Sequence, residues 1–415
     1  MKILQVNTEY ARGGAAQVAL RLHNSLKEMP GIESRFAYGR GGRSQDPDSF
    51  YFGLIPEVYL HALTARITSL QGYGSWLSTI RLIKYVKKEK FDLIHLHNLH
   101  GYYLSNGFVE FLKEAGLPVV WTLHDGWPVT GRCPYLSDCK KWRNGCGDCS
   151  DLRDYPRSFI VDMSALMLRI KKRAFSVGWN PCLISPSKWL ASDIRQSYLS
   201  RHEIRVIQNG LDVNLFRPAD KTAAKVKLGI PPDKKAILLL SADLKDKRKG
   251  ARYFFEALQY MDYKKPSVIL VGKKVDIPAS LTSKYGIRQL GYLSSREALM
   301  DAYNAADIFC ATYLNDNFPN TVLESMACGT PIVGFASGGV IEQVTEGCGI
   351  LVPPRDSEAL GRAIGTLLNE ENLLRKMGAA AREKALREYS IETFVNKHVD
   401  LYKELLHPQG KKKIN

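Results

Sequence analysis

The sequence predicts an α/β protein made of two doubly wound, Rossmann-like domains, and three observations carry that reading. The chain has 415 residues, too many for one ordinary core and enough for two. Short, nearly continuous apolar runs alternate with amphipathic stretches, the pattern of parallel strands covered by helices on both faces. The alternation runs twice, with the break expected between Ser200 and Asn209.

In the first half Lys2–Asn7, Ser34–Tyr38, Phe91–His97, Val119–Leu123 and Cys182–Ser185 read as strands. Helices are expected near Gln17–Lys27, Trp76–Lys88, Phe108–Ala115 and Met163–Phe175. In the second half the strands are Ala236–Ser241, Ser267–Val271, Arg288–Leu290, Ile308–Ala311 and Ile332–Phe335. They alternate with helices at Ala251–Tyr260, Ser295–Ala305 and Thr321–Ala327. Ser390–Leu406 reads as a long last helix carrying apolar Phe394, Val399, Leu401 and Leu405. The expected boundaries are 1–203 for the first domain, 204–388 for the second, 389–407 for the last helix and 408–415 for a basic tail.

Hydrophobic residues at 45% exclude a disordered chain. No run of about 18 apolar residues is present to cross a membrane. The start, MKILQVNTEY, reads as a buried strand and not a signal peptide, so a cytoplasmic protein is expected. The formal charge of +16 is spread over both halves and predicts attraction to phosphates, whether on nucleotides, lipids or nucleic acid. No nucleic-acid module accompanies it, so a nucleic-acid partner is not expected.

The richest stretch is Asn315–Val333, NDNFPNTVLESMACGTPIV. An apolar strand leads into a polar turn holding Asp316. Pro319 suits the first turn of a helix, Glu324 lies on that helix, and Gly329 with Pro331 ends it. Carboxylates for hydroxyls stand beside the backbone amides of Asn320, Thr321 and Val322, where an anion is favoured. A nucleotide-sugar offers both kinds of group.

Asp316-x7-Glu324, with Phe318 and the following Ser-Met-Ala-Cys-Gly-Thr-Pro, resembles the acidic signature of retaining glycosyltransferases of family 4, or group 1. The wording DNFPNTVLES is similar to the version in bacterial exopolysaccharide and colanic-acid-type transferases. Asp316 stands where the family usually has Glu, and Asn317-Phe318-Pro319 where it usually has Gly-Phe-Gly. The resemblance implies the GT-B architecture, with substrates in a cleft between two domains and the last helix crossing back to the first. It also implies that Asp316 holds sugar hydroxyls of the donor and Glu324 the ribose hydroxyls. Asn317, Phe318, Pro319, Asn320, Thr321 and Val322 would line the donor.

Other segments fit that frame. Arg12-Gly13-Gly14 follows the first strand; the glycine pair is equally a tight turn from its spacing, and the resemblance turns it toward the donor phosphates. Three His close the strand Phe91–His97 and its loop, and Asn98 and His100, past the strand end, are placed to touch acceptor. His124 matches a family His that lies beside the sugar. Asn209-Gly210-Leu211-Asp212 looks like the interdomain turn. Lys249, in Lys-Gly before a helix, resembles the family's phosphate-gripping Lys. Lys245 or Arg248 replaces the usual earlier Arg, with the choice left open. Tyr292 and Leu293 resemble the loop that receives the base, and Ser337-Gly338-Gly339 offers a further phosphate or sugar loop.

Four of the eight Cys cluster as Cys133, Cys139, Cys146 and Cys149 in a turn-rich loop. They suit a structural zinc, with free thiols or disulfides as the alternatives; no cofactor is expected for catalysis. Basic and apolar residues on Met163–Val177 and Trp76–Lys90 predict docking of the first domain on the inner face of an anionic membrane.

Taken together, the residues and the resemblance predict a retaining hexosyltransferase. It would move a sugar from a nucleoside-diphosphate-sugar to a saccharide or lipid-linked acceptor in cell-surface polysaccharide synthesis. A nucleotide-sugar epimerase or glycosyl phosphorylase on the same fold, and a non-catalytic polyanion-binding protein, are the rival readings.

Overall fold

A computed structural model describes residues 1–407 except Ser137, Asp151, Lys264 and Glu346. The expected basic tail at 408–415 lies outside the described residues. The chain forms two compact units, Met1–Gly210 with the chain from Phe394 onward, and Leu211–Thr393.

The first unit runs β1 (Lys2–Glu9), α1 (Gly14–Lys27), β2 (Glu33–Arg40), β3 (Ser49–Tyr51), α2 (Ile55–Thr68), α3 (Trp76–Glu89), β4 (Leu93–Leu96), α4 (Gly107–Ala115), β5 (Val119–Thr122), α5 (Ser164–Ser176), β6 (Cys182–Ser185), α6 (Lys188–Arg195) and β7 (Ile204–Val206). Its seven strands are all parallel in the order β3-β2-β1-β4-β5-β6-β7.

The second unit runs α7 (Lys221–Lys227), β8 (Ala236–Asp243), α8 (Ala251–Ala257), β9 (Ser267–Lys273), α9 (Ala279–Lys284), β10 (Gly286–Gly291), α10 (Arg296–Ala305), β11 (Ile308–Ala311), α11 (Asn320–Ala327), β12 (Ile332–Phe335), α12 (Val340–Gln343), β13 (Gly349–Val352), α13 (Ser357–Asn369) and α14 (Glu371–Glu388). Six parallel strands are ordered β10-β9-β8-β11-β12-β13. The last helix, α15 (Ile391–Leu406), follows, and from Phe394 onward it belongs to the first unit.

The near-continuous apolar strands are buried on both faces, as their composition requires. On β8, Leu238 and Leu240 enter one core cluster while Ile237 and Leu239 enter the other. On β11, Phe309 and Ile308 divide in the same way. The pleat's period of two thus gives the second unit a core on each side of its sheet.

The expected boundary at 203/204 falls one strand too early. Ile204–Val206 pairs with β6 and completes the first sheet, so the first unit continues to Gly210. Strands β3 and β7 are three residues long, too short for a hydrophobic period to register in sequence. Likewise α6, α7, α9 and α12 span eight residues or fewer. A further difference lies in α5. Its expected outward apolar set is divided: Met167 and Ala174 are buried, Ile170 is half-buried, and Met163 and Leu166 stay exposed. Lys171, expected on the basic face, is buried too. It donates to the carbonyls of Trp127 and Thr130 at 2.8 and 3.0 Å, and burial pushes its ammonium down to about 7.

Within the first unit α15 buries Phe394, Val395, His398, Val399, Leu401 and Tyr402. The Tyr402 hydroxyl meets His95 Nδ1 at 2.5 Å. The His95 ring lies 5.6 Å from His398 and 4.4 Å from His97, and His97 lies 5.2 Å from His124. Burial is the main reason all four imidazoles are held below their ordinary range, His124 and His398 down to about 4. Unfolded imidazoles take up protons near pH 6.5, whereas His124 and His398 do not until about pH 4. Their stability contribution is therefore full above pH 6.5 and falls as the pH drops toward 4. Urea unfolding across that window is expected to lose about 1.4 kcal/mol per pH unit for each such imidazole. Constant stability from pH 6.5 to 4 would contradict the neutral-imidazole row.

Candidate active site

In the second unit the strand order reverses between β8 and β11, and such a reversal leaves an opening at the carboxyl ends of a parallel sheet. The loops after these two strands are tied together. Thr312 Oγ1 donates to the Lys249 carbonyl at 2.7 Å, and the Leu314 N–H donates to the Arg248 carbonyl at 2.7 Å. That tie brings Lys249 Nζ to 2.5 Å from Asp316 Oδ2 and 4.7 Å from the centre of the Tyr313 ring. Helix α11 starts directly afterwards, with Pro319 at its N-cap position. Thr321 Oγ1, on that first turn, lies 2.6 Å from the Tyr313 hydroxyl.

Glu324 is buried one turn further in, where Oε2 accepts from the Tyr303 hydroxyl at 2.9 Å. Burial and the neighbouring carboxylate raise the Tyr303 hydroxyl well above its ordinary range, so it stays a donor. The loop Ser337-Gly338-Gly339 closes over the turn: Ser337 Oγ donates to the Tyr313 carbonyl, and the Gly339 N–H donates to the Asp316 carbonyl at 3.0 Å. A Cβ on Gly339 would stand 1.7 Å from the Asn317 carbonyl oxygen, which only glycine avoids.

Lys249, Asp316, Thr321 and Glu324 therefore gather at one strand-end opening. Asn317 and Asn320 flank it, half-buried. Phe318, Pro319 and Val322 are buried beneath the turn, with Phe318 edge-on to Tyr389 at 5.7 Å, and their side chains support the loop from the core side. Of the two candidates for the second cation, Arg248 is held by Asp246 at 2.5 Å, whereas Lys245 is exposed. Tyr292 and Leu293 follow the edge strand β10; Tyr292 is exposed and Leu293 packs against the core.

The first unit repeats the geometry. Its strand order reverses between β1 and β4, and a cavity of about 210 Å³ opens at their carboxyl ends. Gly13, Gly14, Asn98 and His100 all line it, so the structure brings these expected residues together. Gly13 makes the turn with φ 96°, a conformation suited to glycine, and α1 starts at the next residue. Glu9, Arg12, Arg40 and Tyr155 also line the cavity.

Beside it His100 Nε2 lies 2.9 Å from Asp125 Oδ2, and Asp125 Oδ1 accepts from the Trp127 N–H at 2.9 Å. Burial pushes the Asp125 carboxyl up, but His100 and these hydrogen bonds outweigh it and hold the group below its usual range. His124 Nε2 lies 2.9 Å from His97 Nδ1, and His97 Nε2 lies 2.8 Å from Gln5 Oε1. That chain fixes the orientation of the His124 ring. Asp125, next to His124 at a strand end, could have been read as a site carboxylate, and Arg12 as the cation ahead of the glycine pair. No sequence signal ties Tyr303, on α10, to Glu324.

The loop with Cys133, Cys139, Cys146 and Cys149 is ordered by its own hydrogen bonds. The N–H groups of Gly145 and Cys146 donate to the Lys141 carbonyl at 3.0 and 2.9 Å, and Trp142 is buried. Among the described residues no group of three or more His, Cys, Asp or Glu side chains converges as a metal site requires. A zinc held by these four thiols would need the sulfurs to move together.

Two family models match in succession, Glycosyltransferase Family 4 over residues 12–215 and Glycosyl transferases group 1 over residues 220–384. The chain belongs to the family 4, group 1 glycosyltransferases. This glycosyltransferase is 27% identical to a putative colanic acid biosynthesis glycosyl transferase of Escherichia coli K12, over 94% of the chain and 98% of that protein. Its fold is similar to the sucrose-phosphate synthase of Thermosynechococcus elongatus, with a TM-score of 0.72 and 19% identity, covering 98% of this chain and 100% of that one. It is also similar to Anabaena HepE in complex with UDP-glucose, with a TM-score of 0.68 and 16% identity, covering 97% and 100%. These likenesses and the two parallel sheets are those of the GT-B class. Among the described residues no helix of the glycosyltransferase is long and apolar enough to cross a membrane.

Gly339→Ala is expected to displace the Asp316–Asn317 backbone and lower glycosyl transfer about a hundredfold while the protein stays folded. Gly42→Ala, which meets nothing within 4 Å, should keep transfer within about twofold. Equal activity of the two variants, each checked by circular dichroism, would refute the close-approach argument.

Proposed function

We propose that this glycosyltransferase moves a hexosyl group, with retention of anomeric configuration, from a nucleoside diphosphate to a hydroxyl of a saccharide or lipid-linked saccharide. The observation that carries the reading is the meeting of Lys249, Asp316, Thr321 and Glu324 at the strand-order reversal of the second unit. An ammonium and a helix start suit a diphosphate, and carboxylates suit hydroxyls. Support for the donor class comes from HepE, solved with UDP-glucose. The biosynthetic setting, cell-surface polysaccharide, follows the E. coli relative's name.

In this reading Glu324, already oriented by Tyr303, takes the ribose hydroxyls, and Asp316 takes hydroxyls of the sugar. As the bond from the anomeric carbon to the diphosphate oxygen breaks, negative charge grows on the leaving group. Lys249 and the α11 start offset that charge. The acceptor hydroxyl attacks from the same face and passes its proton to the departing phosphate, a step that rests on the family resemblance. In the first unit Asn98 and His100 take the acceptor. His124, held neutral near physiological pH, offers the sugar a hydrogen bond without a charge.

Lys249→Ala should lower kcat about a hundred- to a thousandfold, since the cation acts on charge that develops in the transition state. Glu324→Ala should raise the KM for the donor, whereas Asp316→Glu keeps activity. Product anomers read by proton NMR should match the donor's configuration. An inverted product would overturn retention, and a folded Lys249→Ala enzyme of ordinary kcat would overturn the site.

A further inference from the structure

Helix α2 is built inside out. Its buried positions are His61 and Ala65, while Ile55, Tyr59, Leu60, Leu63 and Ile67 face solvent. Tyr59 is 73% exposed and Leu60 60%. Their spacing of four, five, eight and twelve residues from Ile55 places them on one stripe of the helix. His61 faces inward because it is satisfied there: Nδ1 meets Ser75 Oγ at 3.0 Å, and Nε2 accepts from the Gly72 N–H at 3.1 Å.

The stripe continues onto α3. Glu57 of α2 accepts from the N–H groups of Leu77 and Ser78 at 2.7 and 2.8 Å, and from Ser78 Oγ at 2.6 Å. This pins the first turn of α3 beside α2, and that turn exposes Trp76, Leu77 and Ile80. At the other end of α2 the Phe159 N–H donates to the Arg66 carbonyl at 2.8 Å, and Phe159 and Ile160 are exposed. Soluble proteins seldom leave so many large apolar side chains contiguous without an occupant.

Charge decides which occupant. Past Ile80 the outward positions of α3 are Lys84, Lys87 and Lys88, and α2 adds exposed Arg66. The only carboxylates in residues 55–90 are Glu57 and Glu89. Glu57 is taken by the α3 amides, and Glu89 by Lys2 at 2.8 Å. A second copy of the chain would set basic face against basic face. An anionic bilayer accepts the apolar stripe among its acyl chains and the lysines at its phosphates, with Trp76 and Tyr59 suited to the boundary.

We infer that the α2–α3 face of the first unit docks on the surface of an anionic phospholipid membrane. The surface differs from the one the sequence suggests: it adds α2 to α3, whereas the apolar set expected on α5 is partly buried, at Met167 and Ala174. The inference gives the lipid-linked acceptor of the proposed function its setting, but its evidence does not depend on transfer. Binding is therefore measured without donor or acceptor, so that vesicle binding and catalysis fail or stand separately.

The purified full chain is sedimented with vesicles of phosphatidylcholine, alone or mixed with phosphatidylglycerol. It should pellet with the mixed vesicles and be released by high salt. Lys84→Gln with Lys88→Gln should weaken binding about twenty-fivefold, from about fivefold for each basic residue at an anionic surface. Lys172→Gln with Arg173→Gln, exposed on α5, should leave binding unchanged. Leu60→Ser with Leu63→Ser should abolish binding while the protein stays folded by circular dichroism, because both residues are more than half exposed. Trp76→Phe, a milder change, should bind but lose the blue shift of tryptophan emission that the wild type gives on mixed vesicles. Absence of pelleting, equal loss from the α5 control, or wild-type binding by the leucine pair would overturn the inference. So would a stable dimer that the leucine pair dissociates, which would make a second copy the occupant.

Discussion

The candidate site in each of the two units depends on one topological constraint, the reversal of strand order within a parallel sheet. In the first sheet it falls between β1 and β4, in the second between β8 and β11. Right-handed crossovers force the helices after the two central strands onto opposite faces. Their loops part at the carboxyl edge, and backbone at that edge is left open to a ligand. Lys249 follows β8 and Asp316 follows β11, so residues 67 apart in sequence meet at 2.5 Å. Gly13 follows β1 and Asn98 follows β4, and they line one cavity for the same reason.

The two carboxylates of the second unit are held by different physics. Asp316 and Lys249 keep about a fifth to a quarter of their side-chain surface in solvent, so water screens their attraction. An ion pair of that kind contributes on the order of 0–1 kcal/mol to stability, too little to explain the placement as structural support. Glu324 is instead buried, and its lone pair is satisfied by Tyr303, whose hydroxyl burial keeps protonated. Such a carboxylate is already desolvated and oriented before a ligand arrives. The exposed pair can exchange partners; the buried one cannot reorient without leaving a polar group unpaired.

Legibility in the sequence tracks how local each determinant is. Asp316-x7-Glu324 was readable because turn, proline and helix start lie within one short stretch. The alternation of strands and helices was readable because each period is local. Tyr303 was not readable, since its contact with Glu324 is set by packing of α10 against α11. Arg40 and Tyr155 reach the first cavity from β2 and from a loop far along the chain. The boundary was placed early because β7 has three residues and only its pairing with β6 shows that it belongs to the first sheet.

Helix α2 escaped a pattern reading for an instructive reason. Hydrophobic periodicity marks which face of a helix meets the core only when burial is the sole demand on that face. In α2 the inward face is fixed by the hydrogen bonds of His61 and by Ala65, and the apolar side chains point the other way. Those side chains leave much of their apolar surface in solvent, and exposed they favour association. Folding therefore gives no reason to keep Ile55, Tyr59, Leu60, Leu63 and Ile67 outward. On the inference drawn above the reason lies in what covers them, and the surrounding lysines, with Glu57 and Glu89 already engaged, suit a negatively charged cover.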